Sequence, residues 1–287
     1  MPVTLVVAIA AVLAAVAVWT MSRSRRGPDP ADPETEERWL VRSLSGHPRL
    51  GAAARSIDRQ VVGGLMLVAG LGVLLVTAFV VGAVFDMVDR NSGLASWDRA
   101  VADWGSRNAT SWSTDALDLL TELGATTTLL VIVVAVAGFD VARNRNFDVA
   151  LFLGVVVAGV TLINNGLKWL VDRDRPDVTH LVETSGSSFP SGHSAAAAAT
   201  WFALALVIAR HWSRRGRATA AAIASLICVA VAASRALLGV HWLTDVVAGL
   251  VVGWGWFLLS ALVFGGRFQR LGEPAVRVAA RSQALQR

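Results

Sequence analysis

The chain predicts an all-α fold: a polytopic transmembrane helix bundle of six core helices plus one N-terminal anchor helix. Three observations predict it. Of 287 residues, 54% are hydrophobic, and the mean hydropathy is +0.55, a composition suited to a multispanning membrane protein. Apolar runs close to the ~20 residues that cross a bilayer recur along the chain. Arginine is concentrated in alternate connecting segments, as the positive-inside rule requires.

The first run, Val3 to Thr20, is followed by Arg23, Arg25 and Arg26. A cleaved leader carries its positive charge ahead of its apolar stretch. Residues 1–20 therefore read as a retained anchor with its N-terminus outside, a signal peptide being the alternative. Residues 21–60 read as a cytoplasmic linker. Within it Asp32 caps a short helix with Pro33 at its first position and Glu34, Glu36 and Glu37 in its early turns.

Residues 61–264 form the predicted core, with spans over Val61–Phe85, Leu123–Phe139, Val149–Leu167, Ser194–Ala209, Ala218–Ala233 and Leu243–Phe264. Five consecutive alanines after Ser194 predict close helix contact. Between the first two core spans, Trp97, Trp104 and Trp112 follow one another at seven and eight residues. That spacing places them on one face of an interfacial helix, as anchors or as a roof over a site. Asn164 and Asn165, one turn before Lys168, read as interhelical hydrogen-bonding groups, with support of the site as the alternative. Pro176 to Phe189 is a polar loop containing His180 and Glu183. Cys228 is the only cysteine, so no internal disulfide forms. Residues 265–287 form a polar cytoplasmic tail.

The inward segments under this topology are 21–60, 140–148, 210–217 and the tail, and all are rich in arginine. The outward segment 86–122 carries Arg90, Arg99 and Arg107, balanced by Asp86, Asp89, Asp98, Asp103, Asp115, Asp118 and Glu122. Topology thus accounts for the formal charge of +5, and no nucleic-acid partner is implied.

Three polar clusters stand at the ends of apolar runs: Lys168 to Pro176, Pro190-Ser191-Gly192-His193, and Ser234-Arg235 with His241 and Asp245. Charges at the edge of a bilayer are costly unless they pair with each other or with a ligand. Lys168, Arg175 and Arg235 suit a dianion, two as planar forks and one as a point charge. Lys168 is the only lysine among 26 Lys and Arg residues. His241 and Asp245 are four apart, which on a helix puts them on one face. A carboxylate holding Nδ1–H leaves Nε2 free to attack, and His193 supplies a second imidazole as general acid. Ser191 reads as the N-cap of a helix whose free N–H groups accept phosphate.

This constellation resembles the signature of the type 2 phosphatidic acid phosphatase superfamily, which also includes vanadium haloperoxidases. That signature is Lys, six residues, Arg-Pro; then Pro-Ser-Gly-His; then Ser-Arg, five residues, His, three residues, Asp. Every position matches, and the resemblance spans roughly 61–264. It implies a six-helix phosphatase core in the cell membrane, with the active site on the extracytoplasmic face. His241 would be the nucleophile that forms a phosphohistidine, Asp245 its partner and His193 the acid, with Lys168, Arg175, Ser191, Gly192 and Arg235 binding phosphate. No metal or other cofactor is implied. The expected substrate is a lipid phosphate: phosphatidic acid, phosphatidylglycerol phosphate or a polyprenyl pyrophosphate. A non-catalytic lipid-phosphate binder or transporter and a vanadate-dependent haloperoxidase are the alternatives. Oligomeric state is left unspecified.

Overall fold

The computed structural model describes residues 59–178, 181–182 and 186–268, with the isolated positions 4, 12 and 16. The predicted linker helix, the tail, His180, Glu183 and nearly all of the N-terminal anchor lie outside the described residues.

Across residues 59–268, eight α-helices run in the order α1 Arg59–Asp89, α2 Asp98–Arg107, α3 Ser111–Thr121, α4 Thr126–Asn144, α5 Asp148–Val171, α6 Gly192–Ile208, α7 Arg214–Leu237 and α8 Leu243–Phe268, with short 3-10 turns at Gly93–Trp97 and Glu122–Gly124. Six of them coincide with the six predicted core spans, each offset at its ends by a few residues. Helix α1 over Leu67–Asp89, α4, α5, α7 and α8 over Leu243–Phe264 are long and apolar enough to cross a membrane. Helix α6 is the exception. Its 17 residues extend about 25 Å at the helical rise, which is less than the bilayer's hydrocarbon thickness of ~30 Å.

The short α6 is nevertheless the centre of the bundle. Ala195, Ala199 and Ala203 are buried with Phe152, Val156 and Val160 of α5 and Phe257 of α8. The alanine run does what its composition predicts. A Cβ at Gly253 of α8 would stand 2.1 Å from the Ala195 carbonyl oxygen, and one at Gly249 would stand 2.5 Å from that of Ser191. Small residues on both partners let the two backbones touch.

The segment 86–122 departs from expectation. It is not one interfacial helix but a 3-10 turn and two short helices, so the three tryptophans share no single face. Trp97 and Trp112 are exposed, whereas Trp104 packs with Leu117 and Leu237. The break at Asn108 has a local cause. Thr110 starts a new helix through a capping box, its hydroxyl accepting from Ser113 N–H at 3.2 Å while Ser113 Oγ accepts from Thr110 N–H at 2.9 Å.

Candidate active site

Helix α5 brings Lys168 to its last turn and stops at Asp172, whose N–H closes on the Lys168 carbonyl at 3.0 Å. The chain then doubles back. Two hydrogen bonds between irregular segments hold it there, Ser188 N–H donating to Arg173 O at 2.7 Å and Arg173 N–H to Ser187 Oγ at 3.1 Å. Lys168 Nζ donates to the Ser187 carbonyl. Arg175 donates to the carbonyls of Gly186 at 2.9 Å and Val240 at 2.6 Å. Those bonds fix the first cluster against the other two. Burial lowers the Arg175 pKa from its ordinary value and Asp245 partly offsets that, but guanidinium remains a cation at any physiological pH.

Helix α6 begins as the sequence predicts. Ser191 is its N-cap and is fully buried. Its hydroxyl accepts from Ser194 Oγ at 3.0 Å and its own N–H donates to the Asp245 carbonyl at 3.0 Å. The first-turn N–H groups of such a helix lack intrahelical partners and favour an anion. His193 stands in that turn.

His241 and Asp245 pair, but not by sharing a helical face. Helix α8 starts at Leu243, so His241 lies in the turn before it. Asp245 occupies the third helical position and accepts from Trp242 N–H at 2.9 Å, the backward half of a capping box. This geometry turns the Asp245 carboxylate toward the entering chain and leaves His241 Nδ1 at 3.5 Å from Oδ2. Both side chains are buried, at 3% and 0% exposure. Burial, partly offset by Asp245, lowers the His241 pKa to about 4. The imidazole is therefore neutral at pH 7, with Nδ1 facing Asp245 and Nε2 available as the lone-pair donor.

The three clusters meet. Lys168, Arg175, Arg235 and His241 all act electrostatically on His193. Arg235, held at the end of α7, is buried to 6% exposure. Its Nη1 is 3.4 Å from Thr121 Oγ1, and its Nε has no hydrogen-bond partner among the described residues. Every predicted site residue thus lies in one cluster. Among the described residues, no three His, Cys, Asp or Glu side chains converge as metal ligands.

Sequence reading missed Ser188, Thr244, Asp98 and Arg173. Ser188 Oγ donates to Asp245 Oδ2 and stands 3.5 Å from His241 Nδ1. Of the two readings of Asn164, its position agrees with support of the site. It is buried, its Oδ1 has no partner, and its Nδ2 lies 3.2 Å from the place a Cβ on Gly192 would take. Asn164, one turn before Lys168 on α5, therefore packs beside the start of α6.

Residues 149–269 match the family model of the PAP2 superfamily. Phosphatidylglycerophosphatase B of Bacillus subtilis is 33% identical over 176 residues, covering 61% of this chain and 85% of that protein. Lipid A 1-phosphatase of Rhizobium etli is 36% identical over 126 residues, covering 40% of this chain and 49% of that relative. Among solved structures, a transmembrane PAP2-type phosphatidylglycerolphosphate phosphatase from Bacillus subtilis superposes with a TM-score of 0.62 at 28% identity, over 70% of this chain and 98% of that one.

Proposed function

We propose, from the premise that this chain belongs to the PAP2 superfamily and is a multi-pass membrane lipid phosphatase, that residues 61–264 are its catalytic core and hydrolyse a glycerophospholipid monoester at the extracytoplasmic face. The named relatives are lipid phosphatases, which places hydrolysis ahead of the binder and haloperoxidase alternatives. One observation carries the assignment of parts: His193, His241 and three cations converge at a recessed helix start, beside an apolar cavity of about 660 Å³. Phe85, Leu167, Leu170, Val171 and Phe189 are among its walls. Leu167 adjoins Lys168 and Phe189 adjoins the Pro190–Ser191 turn, so a lipid chain seated there brings its phosphate to the cluster.

The geometry supports one mechanism. Lys168, Arg175, Arg235 and the N–H groups beyond Ser191 and Gly192 hold the nonbridging oxygens. Neutral His241 Nε2 attacks phosphorus in line, and the P–O bond to the lipid breaks as a phosphohistidine forms. His193, protonated when the anionic substrate binds, gives its proton to the leaving alkoxide, then takes one from the water that attacks the phosphohistidine, releasing phosphate and freeing His241. Most of the rate comes from placement and charge.

Phosphatidylglycerol phosphate is the first substrate to try, because the relative matched over 85% of its length is a phosphatidylglycerophosphatase. Phosphate release by the purified protein from phosphatidylglycerol phosphate, phosphatidic acid, lipid A 1-phosphate and a polyprenyl pyrophosphate tests the assignment. The glycerophospholipids should be turned over fastest, and a preference for the pyrophosphate would reverse it. Orientation is tested with Ser96→Cys and His211→Cys in a Cys228→Ser background. Impermeant maleimide should label the first in intact cells and spare the second, and the opposite pattern would put the site inside.

A further inference from the structure

Arg173 is one of the six spacer residues between Lys168 and Arg175, at none of the signature positions. Its guanidinium reaches two buried carboxylates on different helices. Nη1 donates to Asp245 Oδ1 at 2.6 Å and to Thr244 Oγ1 at 2.7 Å, and Nη2 donates to Asp98 Oδ2 at 2.9 Å. Asp98, the first residue of α2, also accepts from Thr244 N–H at 2.9 Å and Thr244 Oγ1 at 2.6 Å. Asp98 is 4% exposed and Asp245 is fully buried. The Trp242 ring lies against the guanidinium, 5.3 Å from centroid to Cζ.

We propose that Arg173, braced by Asp98, is a positioning residue that fixes the orientation and effective charge of Asp245 and, through it, of His241. Both oxygens of Asp245 are occupied. Asp245 Oδ2 is occupied by Ser188, Trp242 N–H and the approach of His241. Arg173 takes Oδ1. A carboxylate gripped on both oxygens cannot rotate, so the direction in which it holds the imidazole is set. Asp98 and Thr244 in turn hold the fork, which makes α2 part of the active site's frame.

Charge gives a second consequence. Asp245 stabilises the imidazolium of His241, while Arg175 and Arg235 oppose it. Arg173 acts on Asp245 and dilutes its pull, which helps keep Nε2 unprotonated. Loss of the Arg173 charge favours the imidazolium and moves the acid limb of kcat/KM upward. His193, the other titratable group facing His241, receives the same cations in the variant and the parent.

This inference rests on His241 being the attacking residue and Asp245 its partner, and the test separates the two. The purified membrane protein is assayed as Arg173→Gln, Arg173→Lys, Asp98→Asn, Asp245→Asn and the double variant Arg173→Gln/Asp245→Asn. Arg173→Gln should lose ~10- to 100-fold in kcat with KM within ~3-fold of the parent. Its acid limb should rise by about half a pH unit or more. Arg173→Lys keeps the charge and should keep the limb while recovering only part of kcat. The double variant should be within ~3-fold of Asp245→Asn, because residues acting through one another are not additive. Full multiplication of the two losses, a rise in KM at unchanged kcat, or parental kcat in Arg173→Gln overturns the proposal. Should Arg173→Gln not fold, parental kcat in both Arg173→Lys and Asp98→Asn overturns it. Parental activity in Asp245→Asn instead removes the nucleophile assignment itself.

Discussion

The two ends of the bundle each bury ionic groups, and they use them differently. At the arginine-rich end, Arg210 of the α6–α7 turn donates to Asp140 near the end of α4. Asn144 donates to the same carboxylate oxygen at 2.8 Å, and a further Arg210 N–H goes to the Val207 carbonyl at 3.0 Å. One cation meets one anion, and helix-end polar groups complete the set. At the opposite end Arg173 meets the two carboxylates, while Lys168 and Arg235 are held by neutral oxygens of Ser187 and Thr121. A balanced pair is a clamp. Cations held in place by neutral groups keep their charge for something else, and a phosphate dianion fits that charge. Removal of groups at one end should therefore affect chemistry, and at the other stability.

The largest effect is expected at the nucleophile. His241→Ala should abolish the acid-labile phosphoenzyme and lower kcat more than ~10³-fold. Trapping with labelled substrate checks it, and an undiminished phosphoenzyme would move the covalent step elsewhere. Arg235→Ala comes next, since its charge is buried and, in the proposed mechanism, meets the phosphate. A loss of ~10²- to 10³-fold is expected, of the size seen when a preorganised transition-state contact is removed. Orthovanadate inhibition should weaken in parallel, because vanadate copies the in-line geometry. Loss of turnover with unchanged vanadate affinity would separate Arg235 from the equatorial oxygens.

His193→Ala should cost ~10²-fold on a lipid alkoxide leaving group and much less on an activated aryl phosphate. Equal losses would deny it the acid role. In the parent, the acid limb of kcat/KM, corrected for substrate ionisation, should fall below the ordinary histidine range and toward pH 4, since protonation of His241 in the folded protein sets in near there. The sign for stability is the reverse of a salt-bridged histidine. As pH falls from 6.5 to 4 the unfolded chain takes up this proton first, so His241 destabilises the fold in that window.

The smallest catalytic effect belongs to the far end. Asp140→Asn or Arg210→Gln should lower stability by ~1–3 kcal/mol, as for a partly exposed member of an otherwise buried pair, with kcat within ~2-fold. Thermal unfolding in detergent beside lipid assays checks both halves. A large kcat loss there would erase the distinction between the ends.

The sequence alone determined the class of fold and named the residues of the candidate site. Apolar runs report spans because unsatisfied backbone cannot face lipid, and six of those runs became the six apolar helices of the core, five of them long enough to cross a membrane. Lys168, Arg175, Ser191, Gly192, His193, Arg235, His241 and Asp245 were legible because each sits at a fixed spacing within a short motif at a helix end. Tertiary structure alone decided how the parts are aimed. Asp245 holds its place through Arg173, 72 residues earlier, and Thr244 through Asp98, 146 residues earlier. No local pattern marks such partners, since a buried carboxylate takes whichever donors the packed chain brings within reach. The same holds for the break that made α2 and α3 separate helices and set Asp98 at the start of the first. The spacing of three tryptophans argued for one helix, and the hydrogen bonds of Thr110 and the burial of Asp98 outweighed it.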